Sequence, residues 1–160
     1  MVKLRVAERE DCALILDFIK QLAKYEKLED TVVATVESLE DWLFDNLSAE
    51  VIFAVIDGKE VGFVLYFTNF STFLGKAGLY VEDLFVLPEY RGRGIGTTML
   101  KALAQMAGSC DFGRLEWACL DWNKDSINFY ESLGAQAMSE WTIYRLSGET
   151  LKALADKEIE

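Results

Sequence analysis

The segment Val86-Leu87-Pro88-Glu89-Tyr90-Arg91-Gly92-Arg93-Gly94-Ile95-Gly96-Thr97 carries the residues best spaced to do chemistry. A β-branched, aromatic stretch leads into it and an amphipathic stretch leads out, so a strand feeds a glycine-rich turn that opens a helix. Several backbone N–H groups then converge at the positive end of the helix dipole, and such a nest suits a phosphate. Glycine at 92, 94 and 96 permits positive φ and lets a ligand approach without meeting a Cβ. Arg91 and Arg93 add positive charge on the same loop. The spacing G-x-G-x-G is neither the dinucleotide fingerprint G-x-G-x-x-G nor a P-loop, which needs Gly-Lys-Ser/Thr. A glycine-rich helix start is often only a tight turn; the strand-loop-helix context favours the phosphate reading.

Composition narrows the chemistry further. The chain has 160 residues with 27 acidic and 16 basic side chains, a formal charge of −11, and no histidine. Without histidine the commonest general base and metal ligand are missing, and so are Ser-His-Asp and Cys-His nucleophiles. Proton transfer must use Glu, Asp, Tyr, Cys, Lys or water. Three cysteines, Cys12, Cys110 and Cys119, form no C-x-x-C pair, which argues against a disulfide framework or a zinc site and for reduced core thiols. The negative charge disfavours nucleic acid and suits a cationic small molecule. Charged residues break every apolar run well short of the ~20 residues of a membrane span, and the N-terminus turns charged before a signal-peptide core can form. The expectation is a cytoplasmic protein with no membrane contact and no metal.

The elements that must position the loop follow from periodicity. Lys3 to Ala7 reads as a short strand. Ile15, Phe18, Ile19 and Leu22 make the stripe of a helix with Asp11 as its N-cap. Thr35 to Asn46 reads as a second helix. Glu50 to Ile56 and Lys59 to Asn69 are strands joined by the hairpin signal Asp57-Gly58, and Ala77 to Leu87 is a third long strand. A helix from the glycine loop to Gly108, a strand Arg114 to Leu120, a helix Lys124 to Leu133 stopped by Gly134, a strand Met138 to Leu146 and a short helix after Ser147 complete the order. Hairpins followed by strand-helix-strand crossovers imply an α/β (α+β) fold: one mixed, mostly antiparallel sheet with helices on both faces. With no linker or repeat, residues 1–160 read as one domain.

Arg91-x-x-Gly94-x-Gly96 matches the Q/R-x-x-G-x-G/A signature of the GNAT superfamily of N-acetyltransferases. It is accompanied by Tyr80-Val81-Glu82-Asp83-Leu84-Phe85-Val86, by Trp122-Asn123 and Ser126-Ile127-Asn128-Phe129-Tyr130, and by Leu22-Ala23-Lys24-Tyr25-Glu26. The combination resembles the spermidine/spermine and thialysine N-acetyltransferase branch over most of the chain. The resemblance implies that acetyl-CoA is the acyl donor. Its pyrophosphate would lie on Arg91, Gly92, Arg93, Gly94, Ile95, Gly96 and Thr97, its acyl and pantetheine part against backbone of Leu84, Phe85 and Val86, with Asn123, Lys124, Asp125 and Ser126 also contributing. A homodimer is implied as well.

An aliphatic amine has a pKa near ~10.4 and cannot attack a thioester until it loses a proton. Glu82, on the strand just before the loop, is the base candidate and Asp83 the second; strict alternation puts them on opposite faces. Tyr130, which the resemblance places as the acid, can protonate the departing thiolate while staying neutral at pH 7. For the amine the resemblance gives Tyr25, Glu26 and Glu82, joined by Glu116-Trp117-Ala118 on the next strand. The substrate is then a small cationic amine: a polyamine, a diamine or a lysine-like amine. A transferase acting on protein N-termini or lysines, or a catalytically silent acyl-CoA-binding module, stays open. The chain departs from the branch at Lys124-Asp125, where Glu-Pro is usual. It departs again at Glu131-Ser132-Leu133, where arginines that help hold the CoA 3′-phosphate usually precede the glycine.

Overall fold

Asp57 and Gly58 both take positive φ, 50° and 78°, the backbone of a two-residue turn whose twist matches that of the strands it joins. It connects β2 (Glu50–Ile56) to β3 (Lys59–Ser71). The computed structural model describes residues 1–159, which form two units, Met1–Leu120 and a second from Asp121 onward. In the first unit β1 (Lys3–Val6), β2, β3, β4 (Lys76–Val86) and β5 (Leu115–Trp117) lie side by side in chain order. The first three interfaces are antiparallel and the β4–β5 interface is parallel. A parallel neighbour needs a crossover, and α3 (Ile95–Ser109) supplies it.

Helices cover both faces of this sheet, as its patterning implies. α1 (Cys12–Tyr25) sends Phe18 onto one face, its ring centroid 5.3 Å from Phe63, 6.0 Å from Phe53 and 6.3 Å from Phe85. Those three phenylalanines share a face because Phe53 pairs with Phe63 and Phe63 with Phe85. On the opposite face α3 buries Ile95, Met99 and Leu103. A Cβ on Gly62 would stand 3.4 Å from the Met99 Cε and only 2.8 Å from the Phe85 carbonyl oxygen. Glycine at 62 is thus what lets β3 and β4 close up beneath α3.

Several expected boundaries shift for physical reasons. Asp11 stands at the N-cap position of α1 as expected, but its side chain makes no cap hydrogen bond; its carboxylate accepts from Arg5 at 2.7 and 3.1 Å and from the Glu8 N–H at 2.7 Å, and Arg5 also donates to Glu60. The Arg5 hydrogen bond holds the Asp11 carboxyl below the usual carboxylate range. Thr35 does cap α2 (Val36–Leu39), with Ser38 completing a capping box. The helix then widens into a π-turn over Glu40–Asp45 instead of continuing as α to Asn46. β5 is three residues long, not the seven of Arg114–Leu120. Of the expected core thiols, Cys12 is buried, Cys119 half-buried and Cys110 exposed at the end of α3.

The second unit holds α4 (Lys124–Ser132) and α5 (Gly148–Ala155). Residues 138–146 form no strand among the described residues, and Trp141, Ile143 and Tyr144 are exposed. Alternating apolar residues make a strand only when an edge pairs with them, and here none does. Gly62→Ala should lower stability by about 1–3 kcal/mol, because the added methyl meets a backbone oxygen that cannot swing aside. A fall in the urea midpoint at unchanged m-value is the expected reading; an unchanged midpoint would show that β3 and β4 can separate without loss.

Candidate functional site

The site begins with an irregularity in β4. Leu65 pairs with Asp83 and Tyr66 with Val81, so Glu82 is an extra residue with no cross-strand partner. The slip reverses the facing of every group beyond it. Before it, the Leu79 N–H donates to the Arg114 carbonyl on the β5 side; after it, the Leu87 N–H donates to Val61 on the β3 side. Peptide groups alternate along a strand, so the N–H groups of Leu84 and Val86 point away from β3. Pairing with β5 ends at Val81 and Trp117. The edge of β4 from Leu84 to Val86 is thereby open for another backbone-like partner.

The same slip gathers carboxylates. Asp83 shares the Leu65 face, which is the α1 face, and Glu26 stands at the C-terminal cap of α1. Burial, then the neighbouring charges of Glu82 and Glu26, push the Asp83 carboxyl up to about 7. Burial likewise raises Glu26. The expected separation of 82 and 83 onto opposite faces therefore does not isolate them, because each sits in the field of the other. Among the described residues no ion pair involves Glu26, Glu82 or Asp83; the ion pairs formed are Arg5 with Asp11 and Glu60, Arg9 with Asp45, Lys76 with Asp111 and Arg114 with Glu116. A cluster of carboxylates without ion-pair partners, two of them, Glu26 and Asp83, partly desolvated, is a receptor for a cation.

Beyond β4 a single turn at Pro88–Tyr90 leads to the loop. Gly92 and Gly94 take φ of +73° and +74°, and nothing stands within 4 Å of where their Cβ atoms would be. Gly94 is the N-cap of α3, and the first bond into the helix runs from the Thr98 N–H to the Gly94 carbonyl. The N–H groups of Ile95, Gly96 and Thr97 have no helical partner and open toward the same space. Phosphate chemistry fits this cradle: unshielded donors, a helix dipole and room left by two glycines.

The arginines of the loop are held back against it. Arg91 Nε donates to the Val86 carbonyl at 2.9 Å, and its guanidinium lies 4.7 Å from the Tyr25 ring centroid and 5.2 Å from that of Phe85. Arg93 donates to the Glu89 carbonyl at 3.1 Å and lies 5.2 Å from the Tyr90 ring. Tyr25 is thereby brought to the loop. Glu116 pairs with Tyr80 on the Asp83 face, but Arg114 stands 3.7 Å from its carboxylate. Trp117 pairs with Val81 and faces the other way, and Ala118 lies just beyond β5. In the second unit Asn123 caps α4, its side chain accepting from the Ser126 N–H at 3.3 Å, so Lys124, Asp125 and Ser126 form the first turn. Tyr130 follows on α4, its ring 5.3 Å from that of Phe129. Sequence reasoning ranked Asp83 second; two consecutive acids inside an apolar strand were the available sign of a bulge. Among the described residues no group of His, Cys, Asp or Glu could hold a metal ion, and no helix is long and apolar enough to cross a membrane.

Comparison with known proteins agrees with this geometry. The sequence model of the Acetyltransferase (GNAT) family matches residues 16–135. A thialysine N-epsilon-acetyltransferase of Bos taurus is 39% identical over 168 residues, covering 98% of each chain. The human spermidine/spermine N(1)-acetyltransferase-like protein 1 is 34% identical over 167 residues, 98% of this chain and 24% of that protein. An integron cassette protein from the mobile metagenome of V. cholerae has the same fold, with a TM-score of 0.80 at 30% identity over 98% of both chains.

The raised Asp83 carboxyl has a consequence for stability. A carboxyl that binds its proton more tightly in the folded chain stabilises the fold at low pH, and that contribution is lost as pH rises from about 4 through about 7. Asp83→Asn should therefore stabilise the unliganded protein at pH 8, by on the order of 2–4 kcal/mol, and have little effect near pH 4. Denaturant melts at the two pH values test this; an equal effect at both would mean that Asp83 titrates normally.

Proposed function

The chain belongs to the GNAT acetyltransferase family and is an N-acetyltransferase, and from that premise we propose that it moves the acetyl group of acetyl-CoA to a primary amine of a small cationic substrate. A polyamine, a diamine or a lysine-like amine fits. The observation that carries the reading is the uncompensated group Glu26, Glu82 and Asp83 beside the strand that feeds the glycine loop. The names of two relatives, a thialysine N-epsilon-acetyltransferase and a spermidine/spermine N(1)-acetyltransferase-like protein, support the same substrate class.

Acetyl-CoA supplies an activated acyl thioester, and the chain's own groups do the rest. Backbone N–H groups from Gly92 to Thr97 hold the pyrophosphate. The open edge offers the N–H groups of Leu84 and Val86 and the Leu84 carbonyl to the pantetheine, and its N–H groups to the thioester oxygen, the Val86 carbonyl being taken by Arg91. Glu82 and Asp83 hold the ammonium and draw its proton away, directly or through water, so that the neutral amine attacks the thioester carbon without a covalent enzyme intermediate. Tyr130 gives its phenolic proton to the departing thiolate. Asn123 to Ser126, and Lys124 and Arg93 in place of the missing arginines, serve the CoA end. We take residues 1–160 as one functional domain, since the family match spans both units, acting in the cytoplasm as a homodimer.

Thiol release from acetyl-CoA against spermidine, spermine, putrescine, lysine, thialysine and a peptide N-terminus tests the assignment. Turnover is expected with a small diamine, polyamine or thialysine, and Tyr130→Phe should lower kcat by about 10²-fold or more. For the preferred amine, kcat/KM should rise with pH through about 7 as the Asp83 carboxyl ionises, and Asp83→Asn should raise the amine KM and flatten that limb. Turnover confined to the peptide would overturn the small-amine assignment.

A further inference from the structure

We propose that Arg91 is a positioning residue that couples the two substrate sites, by holding the end of α1 against the phosphate loop and the end of β4. The inference rests on the loop receiving the pyrophosphate and the carboxylates receiving the amine. Arg91 leaves the Pro88–Tyr90 turn in extended conformation and sends its guanidinium back toward the sheet. Nε donates to the last carbonyl of β4, that of Val86, at 2.9 Å. The guanidinium lies against Phe85 of the same strand and, at 4.7 Å, against Tyr25, the last residue of α1. Glu26 comes next and is the helix cap, its N–H bonded to the Leu22 carbonyl. One planar group therefore touches the element that carries the acyl site, the loop that carries the anion site, and the residue preceding an amine-site carboxylate.

The donor inventory makes this a coupling device. A guanidinium has five N–H groups, and with Nε committed to Val86 the Nη groups remain for a phosphate oxygen on the loop. An anion there fixes the guanidinium, the guanidinium fixes the Tyr25 ring by stacking, and the helix end bearing Glu26 is ordered before the amine arrives. The ordering cost is paid once, by whichever substrate binds first, so each tightens the other by the same factor. Lysine keeps the charge but has neither the plane to stack nor an Nε–H on a fixed fork.

Calorimetric titration of desulfurised or free CoA, unable to react, into the protein with and without saturating amine reads this factor. The amine is thialysine or spermidine, whichever the wild type binds more tightly. In the wild type the amine should tighten CoA about fivefold. In Arg91→Lys, CoA should still bind while the factor falls to about one. Tyr25→Leu should also abolish it, and the double variant should show no further loss; Tyr25→Phe, which keeps the ring, should preserve it. A factor near one in the wild type, or a full factor in Arg91→Lys, overturns the coupling while leaving the acetyltransferase reading intact. Failure of the wild type to bind CoA at all overturns both.

Discussion

A one-residue slip between two hydrogen-bonded strands determines what the rest of this molecule can do. With Leu65 opposite Asp83 and Tyr66 opposite Val81, β4 changes the facing of its peptide groups and side chains at Glu82. Three consequences follow from that single geometric fact. The edge beyond the slip loses β5 as a partner and becomes available to a ligand backbone. Asp83 turns toward the α1 face, where burial first, and then the charges of Glu82 and Glu26, raise its proton affinity. The strand is also aimed at Pro88 and the glycine loop, so an acyl-CoA whose pantetheine lay along the open edge would have its pyrophosphate at the start of α3.

Such a slip gives up ladder hydrogen bonds and buries charge, so the surrounding packing must hold it. Phe18 against Phe53, Phe63 and Phe85 clamps one face just beyond the carboxylates. Met99, Leu103 and Ile95 clamp the other, with Gly62 letting the strands close under Met99. Burying aromatic and aliphatic side chains of this size is worth roughly 1.5–3 kcal/mol each, enough to offset the local cost of the slip and of an unpaired buried carboxylate. Arg91 adds a tie of another kind, joining elements that share no backbone hydrogen bonds at that point.

Much of this was legible in the residues. β-Branched, aromatic-rich runs on either side of the Asp57-Gly58 hairpin signal gave β2 and β3, the apolar stripe gave α1, and glycines at 92 and 94 gave a turn whose positive φ values the backbone indeed requires. The family followed from the same loop together with its neighbouring motifs. What was not legible depends on partners distant in sequence. Alternation cannot report a bulge, because a bulge is a property of two strands; Glu82-Asp83 signalled only that alternation fails. Asp11 reads locally as a cap, yet Arg5 claims its carboxylate. Residues 138–146 alternate like a strand, yet alternation does not supply an edge to pair with.

The absence of histidine gives the carboxylate cluster its particular chemistry. A site that binds an ammonium well stabilises the protonated amine, which opposes the deprotonation that attack requires. Three fully ionised carboxylates would make that opposition severe. Here burial, and then repulsion from Glu82 and Glu26, leaves Asp83 carrying a proton for a substantial fraction of the time near pH 7, so the site without substrate bears less than its full formal charge. In the proposed reaction an arriving ammonium would displace that proton, which would leave during binding rather than during chemistry. The ionised Asp83 and Glu82 would then draw the ammonium's proton away, leaving a neutral amine with the lone pair that attack on the thioester requires. A carboxylate held near neutrality by burial, and less by its neighbours, would thus do what imidazole does by its intrinsic basicity.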